Sequence, residues 1–272
     1  MIFLGTGAAE LIPDPFCNCP ICRDAREHPE HVRLRSCLLV DGETLIDFGP
    51  DFASACAKHR LDLTGLKRVF VTHSHEDHFC HCNVELMDMS VTRTEVLDIY
   101  LSEGALATFD PKKYGKDLVA YHPVPVGEPF RAGSWTVTAV GTTHTVSAGQ
   151  ESAVNYLLRR EDGRKLLYCS DTGFYPQESL DTLAGAEVDV LVLEGTYGSK
   201  EDIDPRRHMN AKNFVRMLEI FLERGIITPK TRVFATHINH KHTFTHEAYQ
   251  AWFHENAPIP VTVAHDGLEV TL

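Results

Sequence analysis

The chain reads as a mixed α/β protein of the α+β type, with two β-sheets sandwiched between outer helices. Three observations predict this. Short strand patterns dominate the first 72 residues, a second strand series runs from residue 135 to 194, and two amphipathic helices come late. In the first series, Met1–Leu4, Ser36–Val40, Thr44–Asp47 (after the Asp41-Gly42 turn) and Arg68–Thr72 are rich in β-branched and apolar residues bounded by turn formers. Mixed material between Asn83 and His122 holds two helical candidates, Val84–Ser90 and Ser102–Phe109. The second series is Trp135–Val140, Ala153–Arg160, Lys165–Cys169 and Val188–Glu194, with Glu161-Asp162-Gly163 as a hairpin signal. Helix His208–Arg224 places Phe214, Val215, Leu218, Phe221 and Leu222 on one face and stops at Gly225. Strand Thr231–Ala235 follows, then helix Thr245–Glu255, begun by a threonine cap. Strands Val261–Ala264 and Leu268–Thr271 close the chain around Asp266-Gly267. No linker, low-complexity tract or repeat divides it, so residues 1–272 are expected to form a single domain.

With 272 residues, 43% apolar and 24% charged, the composition is that of a soluble protein with a substantial core. Acidic residues outnumber basic ones 38 to 26, giving a net charge of −12, which disfavours a nucleic-acid partner and favours a small-molecule substrate. No stretch approaches the roughly 20 apolar residues of a membrane span, and Met1–Gly7 has no basic leader region. Eight cysteines suit metal binding in a reducing cytosol better than a disulfide framework, so a cytoplasmic location is expected.

The run His73-Ser74-His75-Glu76-Asp77-His78 carries the chemistry. It places four metal-binding side chains in six residues, directly after the apolar strand Val69-Phe70-Val71-Thr72. His73 and His75, two apart, can point the same way from an extended segment, and Asp77 and His78 offer an oxygen and a nitrogen to a second ion. Imidazole with carboxylate suits zinc, manganese or iron. Three further ligand-type residues follow apolar strands: His144 in Gly141-Thr142-Thr143-His144, Asp171 in Ser170-Asp171-Thr172, and His237 in Ala235-Thr236-His237. One such residue would be an ordinary loop residue; three in series after the histidine run point to a shared site.

These motifs resemble the metallo-β-lactamase superfamily over nearly the whole chain. The resemblance implies a four-layer αββα sandwich with a dinuclear site of two divalent ions, zinc or manganese. It implies that His73, His75 and His144 hold one ion, that Asp77, His78 and His237 hold the other, and that Asp171 bridges them. Asp47, in Leu45-Ile46-Asp47-Phe48-Gly49, matches the superfamily's first aspartate, whose role is to orient the histidine loop; read from the residues alone, it caps the turn before Gly49-Pro50 equally well.

A second site is suggested by Cys17-Asn18-Cys19-Pro20-Ile21-Cys22, three thiolates in a proline-marked loop. Three soft ligands need a fourth to close a tetrahedral zinc. Together with Phe3-Leu4-Gly5-Thr6-Gly7 and His237-Ile238-Asn239-His240, this loop resembles the branch that contains the phosphoribosyl 1,2-cyclic phosphodiesterases of the carbon–phosphorus lyase pathway. That branch implies a structural zinc held by Cys17, Cys19, Cys22 and His240. A free-thiol cluster or a redox pair is the other reading of these cysteines. Cys80-His81-Cys82 reads as packing at a helix start, and Cys37, Cys56 and Cys169 as buried hydrophobes.

The function expected from this resemblance is a metal-dependent hydrolase, a phosphodiesterase acting on a small cyclic phosphate ester such as phosphoribosyl 1,2-cyclic phosphate. Asp77 and His208 are the expected catalytic residues. His208, in Arg206-Arg207-His208-Met209-Asn210, resembles the late histidine that assists leaving-group departure, and is otherwise a plain helix-start residue. Glu194 is a candidate to orient it; Arg206, Arg207 and Lys241 are candidates to grip a second phosphate, or surface charges. Phe174 or Tyr175 is a candidate for stacking on the substrate, and each reads equally well as core. Loops Pro111–Gly127 and Gly173–Gln177 are the expected pocket lining, and a homodimer through Asn83–Phe109 is an expectation of the resemblance. A lactone or thioester hydrolase, a transfer-RNA 3′-processing nuclease, and a non-catalytic carrier like the pyrroloquinoline-quinone biosynthesis relative remain open on the same motifs.

Overall fold

The computed structural model of the chain describes residues 1–146 and 151–272. A six-stranded sheet is ordered β1 (Ile2–Gly5), β2 (Cys37–Asp41), β3 (Thr44–Ile46), β4 (Arg68–Phe70), β5 (Leu97–Leu101) and β6 (Val119–Pro123). Its first three strands are antiparallel, and β3 to β6 run parallel. The second sheet holds β7 (Pro129–Ala132), β8 (Trp135–Val146), β9 (Glu151–Arg160), β10 (Lys165–Cys169), β11 (Val190–Glu194), β12 (Arg232–Thr236) and β13 (Val261–Val263), in sequence order across the sheet. Strands β7 to β10 are antiparallel and β10 to β13 parallel.

Alternation along the strands builds three apolar layers. Between the sheets lie Phe3, Phe70, Trp135, Tyr156, Tyr168 and Val192. Outward residues of the second sheet, such as Leu167, Leu191 and Val233, meet helices α1 (Pro20–Glu27), α5 (Gln177–Leu183), α6 (Ala211–Glu223) and α7 (His246–Asn256). Outward residues of the first sheet, such as Leu45, Val69 and Ile99, meet α2 (Phe52–His59), α3 (His81–Asp88) and α4 (Glu103–Leu106). The result is the expected αββα sandwich. Among the described residues, no helix is long and apolar enough to cross a membrane.

Several expectations need correction. Strand β8 runs to Val146, with a register shift between Gly141 and Thr145, so His144 sits on the irregular end of a strand rather than in a loop after Val140. The Asn210 side chain accepts from the Asn213 N–H and starts α6 at Ala211, which leaves His208 in the preceding loop. The candidate helix Ser102–Phe109 shrinks to α4, four residues capped by Ser102. Leu268–Thr271 is not a strand of either sheet. The Asp266-Gly267 turn lays it against β1, where Glu269 makes a single bridge to Ile2. Cys80 and Cys82, at the head of α3, are joined in a disulfide. Cys37 and Cys169 are buried as expected, whereas Cys56 is only partly so.

Trp135 is fully buried between the sheets. Trp135→Ala is expected to destabilise the protein by about 3–5 kcal/mol in urea denaturation; a loss below about 1 kcal/mol would contradict an inter-sheet core centred there.

Candidate metal centre

Parallel strands deliver their C-terminal ends to one rim of the sandwich. Asp47 follows β3, the run His73–His78 follows β4, Asp171 follows β10, Glu194 ends β11 and His237 follows β12. Asp47, Asp171 and His237 adopt left-handed backbone conformations, with φ of 64°, 32° and 57°. Such strain in non-glycine residues turns each side chain sharply off its strand and concentrates at functional sites. Glycines allow the loops to close. A Cβ on Gly49 would collide with the Asp77 carbonyl, and one on Gly173 with the Pro205 carbonyl, so these two positions let the histidine loop and the His208 loop reach the rim.

His73, His75, His144 and Asp171 place one ligand-type atom each within 4.8 Å of one another, and Asp77, His78 and His237 do likewise. Asp171 stands between the two groups. Its Oδ1 lies 3.2 Å from His78 Nε2 and 2.9 Å from His237 Nε2, while its Oδ2 lies 3.7 Å from His73 Nε2 and 3.8 Å from His144 Nε2. Asp77 Oδ2 completes the second group, 3.1 Å from His78 Nε2 and 3.7 Å from His237 Nε2. All seven expected ligands therefore converge.

The opposite ring nitrogens are committed elsewhere. His78 Nδ1 donates to Asp47 Oδ2 at 2.7 Å. Asp47 Oδ1 accepts from the Thr72 N–H and the Thr72 hydroxyl, both at 2.9 Å, so that hydroxyl can accept from His73 Nδ1 at 3.0 Å. His144 Nδ1 donates to the Arg207 carbonyl at 3.1 Å. His237 Nδ1 donates to Thr196 Oγ1 at 2.8 Å, and that hydroxyl donates to Glu194 Oε2 at 2.5 Å. In these four rings Nδ1 carries a proton, and Nε2 faces the centre. His75 is reversed: its Nδ1 faces inward, 2.8 Å from His73 Nε2.

The charges fit a cation. Burial lowers the pKa of His73, His75 and His144, leaving neutral rings able to ligate. Burial pushes Asp77 and Asp171 up, but the facing His78 and His237 outweigh it and hold both carboxyls below the usual range. Burial likewise opposes charge on His78 and His237. The carboxylates prevail, raising His78 well above its ordinary value and His237 to about 10. Protons on these two rings answer the buried negative charge; a divalent cation in the same place would answer it and release them. The buried Nε2 atoms of His78 and His237 make no well-directed hydrogen bond, as nitrogens aimed at a cation site would.

His208 lies beside this centre. Its Nδ1 donates to Glu194 Oε1 at 2.9 Å, and its ring stacks on His237 at 5.6 Å. Burial works against its charge, but Glu194 outweighs that and raises its pKa. Glu194 is fully buried and also accepts from the N–H groups of Thr172, Thr196 and Met209. The Thr72 and Thr196 hydroxyls, and Glu151 on Ser74, were not legible as site residues because single polar residues carry no motif.

The cysteine loop folds back onto His240. Cys17, Cys19, Cys22 and His240 bring their ligand atoms within 4.8 Å of one another, with Cys19 Sγ 3.6 Å from His240 Nδ1. Cys19 caps α1, a helix that the proline-marked loop concealed. Burial raises the Cys19 thiol, but the Cys22 N–H and the His240 ring outweigh it and bring it down to about 7; burial pushes Cys22 up to about 12.

Arg207 and Lys241 line the cleft over the centre, together with Glu10 and Tyr197. Lys241 pairs with Glu10. Arg206 is tied to Asp204 and stays on the surface. Tyr175 is buried, with its hydroxyl on Asn155, so it belongs to the core rather than to a stacking site; Phe174 packs against the same core. Neither Pro111–Gly127 nor Gly173–Gln177 contributes to the cleft among the described residues; the loop after β1 and the segment from Thr196 to Lys241 do.

An αββα sandwich with this rim defines a metallo-β-lactamase-type scaffold with candidate metal-binding histidine and aspartate clusters. The chain belongs to the β-lactamase superfamily: the family described as Beta-lactamase superfamily domain matches residues 43–238. The fold matches a diphosphatase of the PhnP family (TM-score 0.75, 23% identity, covering 100% of this chain and 96% of that one). It also matches zinc-bound PqqB of Methylobacterium extorquens (TM-score 0.74, 18% identity, covering 100% and 99%). Coenzyme PQQ synthesis protein B of Methylobacterium nodulans is 26% identical over 235 residues, 74% of each chain. The chain spans 34% of the length of the transcription termination factor FttA of Methanothermobacter thermautotrophicus, at 24% identity over 70% of this chain. It spans 16% of an octanoyltransferase of Porphyromonas gingivalis, at 33% identity over 28% of this chain.

Asp47→Ala strips the acceptor from the Thr72 N–H, the Thr72 hydroxyl and His78 Nδ1. It is expected to cost at least about 2 kcal/mol in denaturation of the chelator-treated protein; an unchanged midpoint would show that Asp47 does not organise the histidine loop.

Proposed function

We propose that the chain is a metal-dependent hydrolase with a dinuclear site, a phosphodiesterase acting on a small cyclic phosphate ester such as phosphoribosyl 1,2-cyclic phosphate. The observation that carries this reading is the split of Asp171, one carboxylate oxygen toward each ligand group. A carboxylate so placed could serve two divalent ions at once. His73, His75 and His144 would hold one ion, Asp77, His78 and His237 the other, and Cys17, Cys19, Cys22 and His240 a structural zinc. When bound, two divalent ions, zinc or manganese, supply a hydroxide near neutral pH and polarise the phosphoryl oxygens.

The chain's own residues supply the rest. Arg207 lines the cleft beside the Lys241–Glu10 pair in a protein of net charge −12, which favours a small anionic ester over a polyanion. Asp77 is held ionised by His78, ready to ligate and to orient what binds beside it. His208, with Nδ1 committed to Glu194, is placed to give a proton from its other nitrogen to the leaving alkoxide. That a diphosphatase shares the fold agrees with phosphoryl chemistry, though at 23% identity the likeness concerns the fold.

The zinc- or manganese-loaded protein is expected to hydrolyse bis(p-nitrophenyl) phosphate, and chelation, His75→Ala or Asp171→Ala to abolish it. No turnover at full metal occupancy would overturn the phosphodiesterase reading in favour of a lactone or thioester substrate. His208→Ala is expected to lower kcat by about 10²–10⁴-fold. Because Glu194 outweighs burial and raises the His208 pKa, the acid form is held to higher pH than in an ordinary imidazole and is lost as the pH rises through the raised value. Glu194→Gln should therefore move the alkaline limb of the kcat profile to lower pH; a limb that stays in place would remove His208 from the acid role.

A further inference from the structure

The histidine loop is anchored at both ends by Asp47, through Thr72 and His78, but its middle residue, Ser74, points elsewhere. Ser74 separates His73 from His75. Its N–H donates to Glu151 Oε1 at 3.0 Å, and its hydroxyl donates to Glu151 Oε2. Glu151 opens β9 in the opposite sheet and is only 2% exposed. Gly104 lies against its stem, where an added Cβ would press on Glu151 Cβ and Cγ at 3.1 Å. Among the described residues it meets no lysine or arginine. A carboxylate buried without a cation is costly and persists only where its acceptors are needed.

We propose that Glu151 is a positioning residue of the metal centre. By holding both donors of Ser74 it fixes the peptide between His73 and His75, and thereby the two imidazoles that share one ion. The proposal rests on the dinuclear reading above. Outer partners of this kind commonly change metal affinity by 10–100-fold.

The test is a titration of metal-free protein with zinc, followed by calorimetry and by metal content per chain, for the wild type, Glu151→Ala, Glu151→Gln and His75→Ala. The expected wild-type result is two ions beyond the thiolate site. Glu151→Ala should weaken one of them by about 10–100-fold, matching the ion lost in His75→Ala, and leave the thiolate zinc in place. Glu151→Gln should restore binding, because its amide oxygen can still accept the Ser74 N–H while its NH₂ donates to the Ser74 hydroxyl. A wild type that takes up no ion outside the thiolate site would overturn the dinuclear reading itself. A wild type that takes up two ions, with Glu151→Ala equal to it, would overturn only the role of Glu151. Loss of the thiolate zinc together with the other ions in both Glu151 variants would make the residue a general support of the fold, and would also overturn the proposal.

Discussion

Where protons sit on the rim histidines is the constraint on which the site depends. Two buried carboxylates, Asp47 and Glu194, decide it. Asp47 takes the Nδ1 proton of His78 directly and that of His73 through Thr72; Glu194 takes that of His208 directly and that of His237 through Thr196. Each commitment turns a ring so that its other nitrogen must face the centre. Both carboxylates stand at the ends of parallel strands, one in each sheet, so the protonation pattern is imposed by the sandwich itself. Around Asp171 this leaves negative charge and aimed nitrogen lone pairs together in a buried space, an arrangement that is stable only with protons or a cation among them.

The two candidate sites are mechanically joined. Beyond β1, Ala8 N–H donates to the Ile238 carbonyl at 3.0 Å and Ile238 N–H to the Thr6 carbonyl at 2.9 Å, so the N-terminal segment is stitched to the loop that carries His237. Three residues on, His240 meets the cysteine loop at Cys19. An ion held by Cys17, Cys19, Cys22 and His240 would clamp that loop from behind. The cleft's cationic residue Lys241 adjoins His240, and its partner Glu10 comes from the loop after β1, so the same clamp would also shape the mouth of the cleft.

Much of this was legible in the sequence, for identifiable reasons. The metal-type ligands follow strongly apolar strands, and a strand end is where alternation stops and a side chain is freed to face a rim. The four-residue spacing and dense apolar face of α6 made it visible, and the threonine cap did the same for α7. What escaped was set by tertiary context. Strand β5, Leu97-Asp98-Ile99-Tyr100-Leu101, alternates cleanly but sits in a polar, turn-rich stretch; β6 and β7 are half exposed and prolines lie at their ends. Helix α1 is hidden because its cap is a cysteine and its first residue a proline. Glu151 and Thr196 are lone polar residues whose roles come only from partners far away in sequence. Tyr175 stayed open between core and stacking because an aromatic beside a site can be either until its neighbours are known; its hydroxyl on Asn155 decides for core.

The most direct test of the central claim is anomalous diffraction at the zinc edge from crystals of the zinc-loaded protein. The account predicts two peaks about 3.5–4 Å apart, one on each side of Asp171, and a third among Cys17, Cys19, Cys22 and His240. A peak at the cysteines alone, with the rim histidines still turned as described, would contradict it.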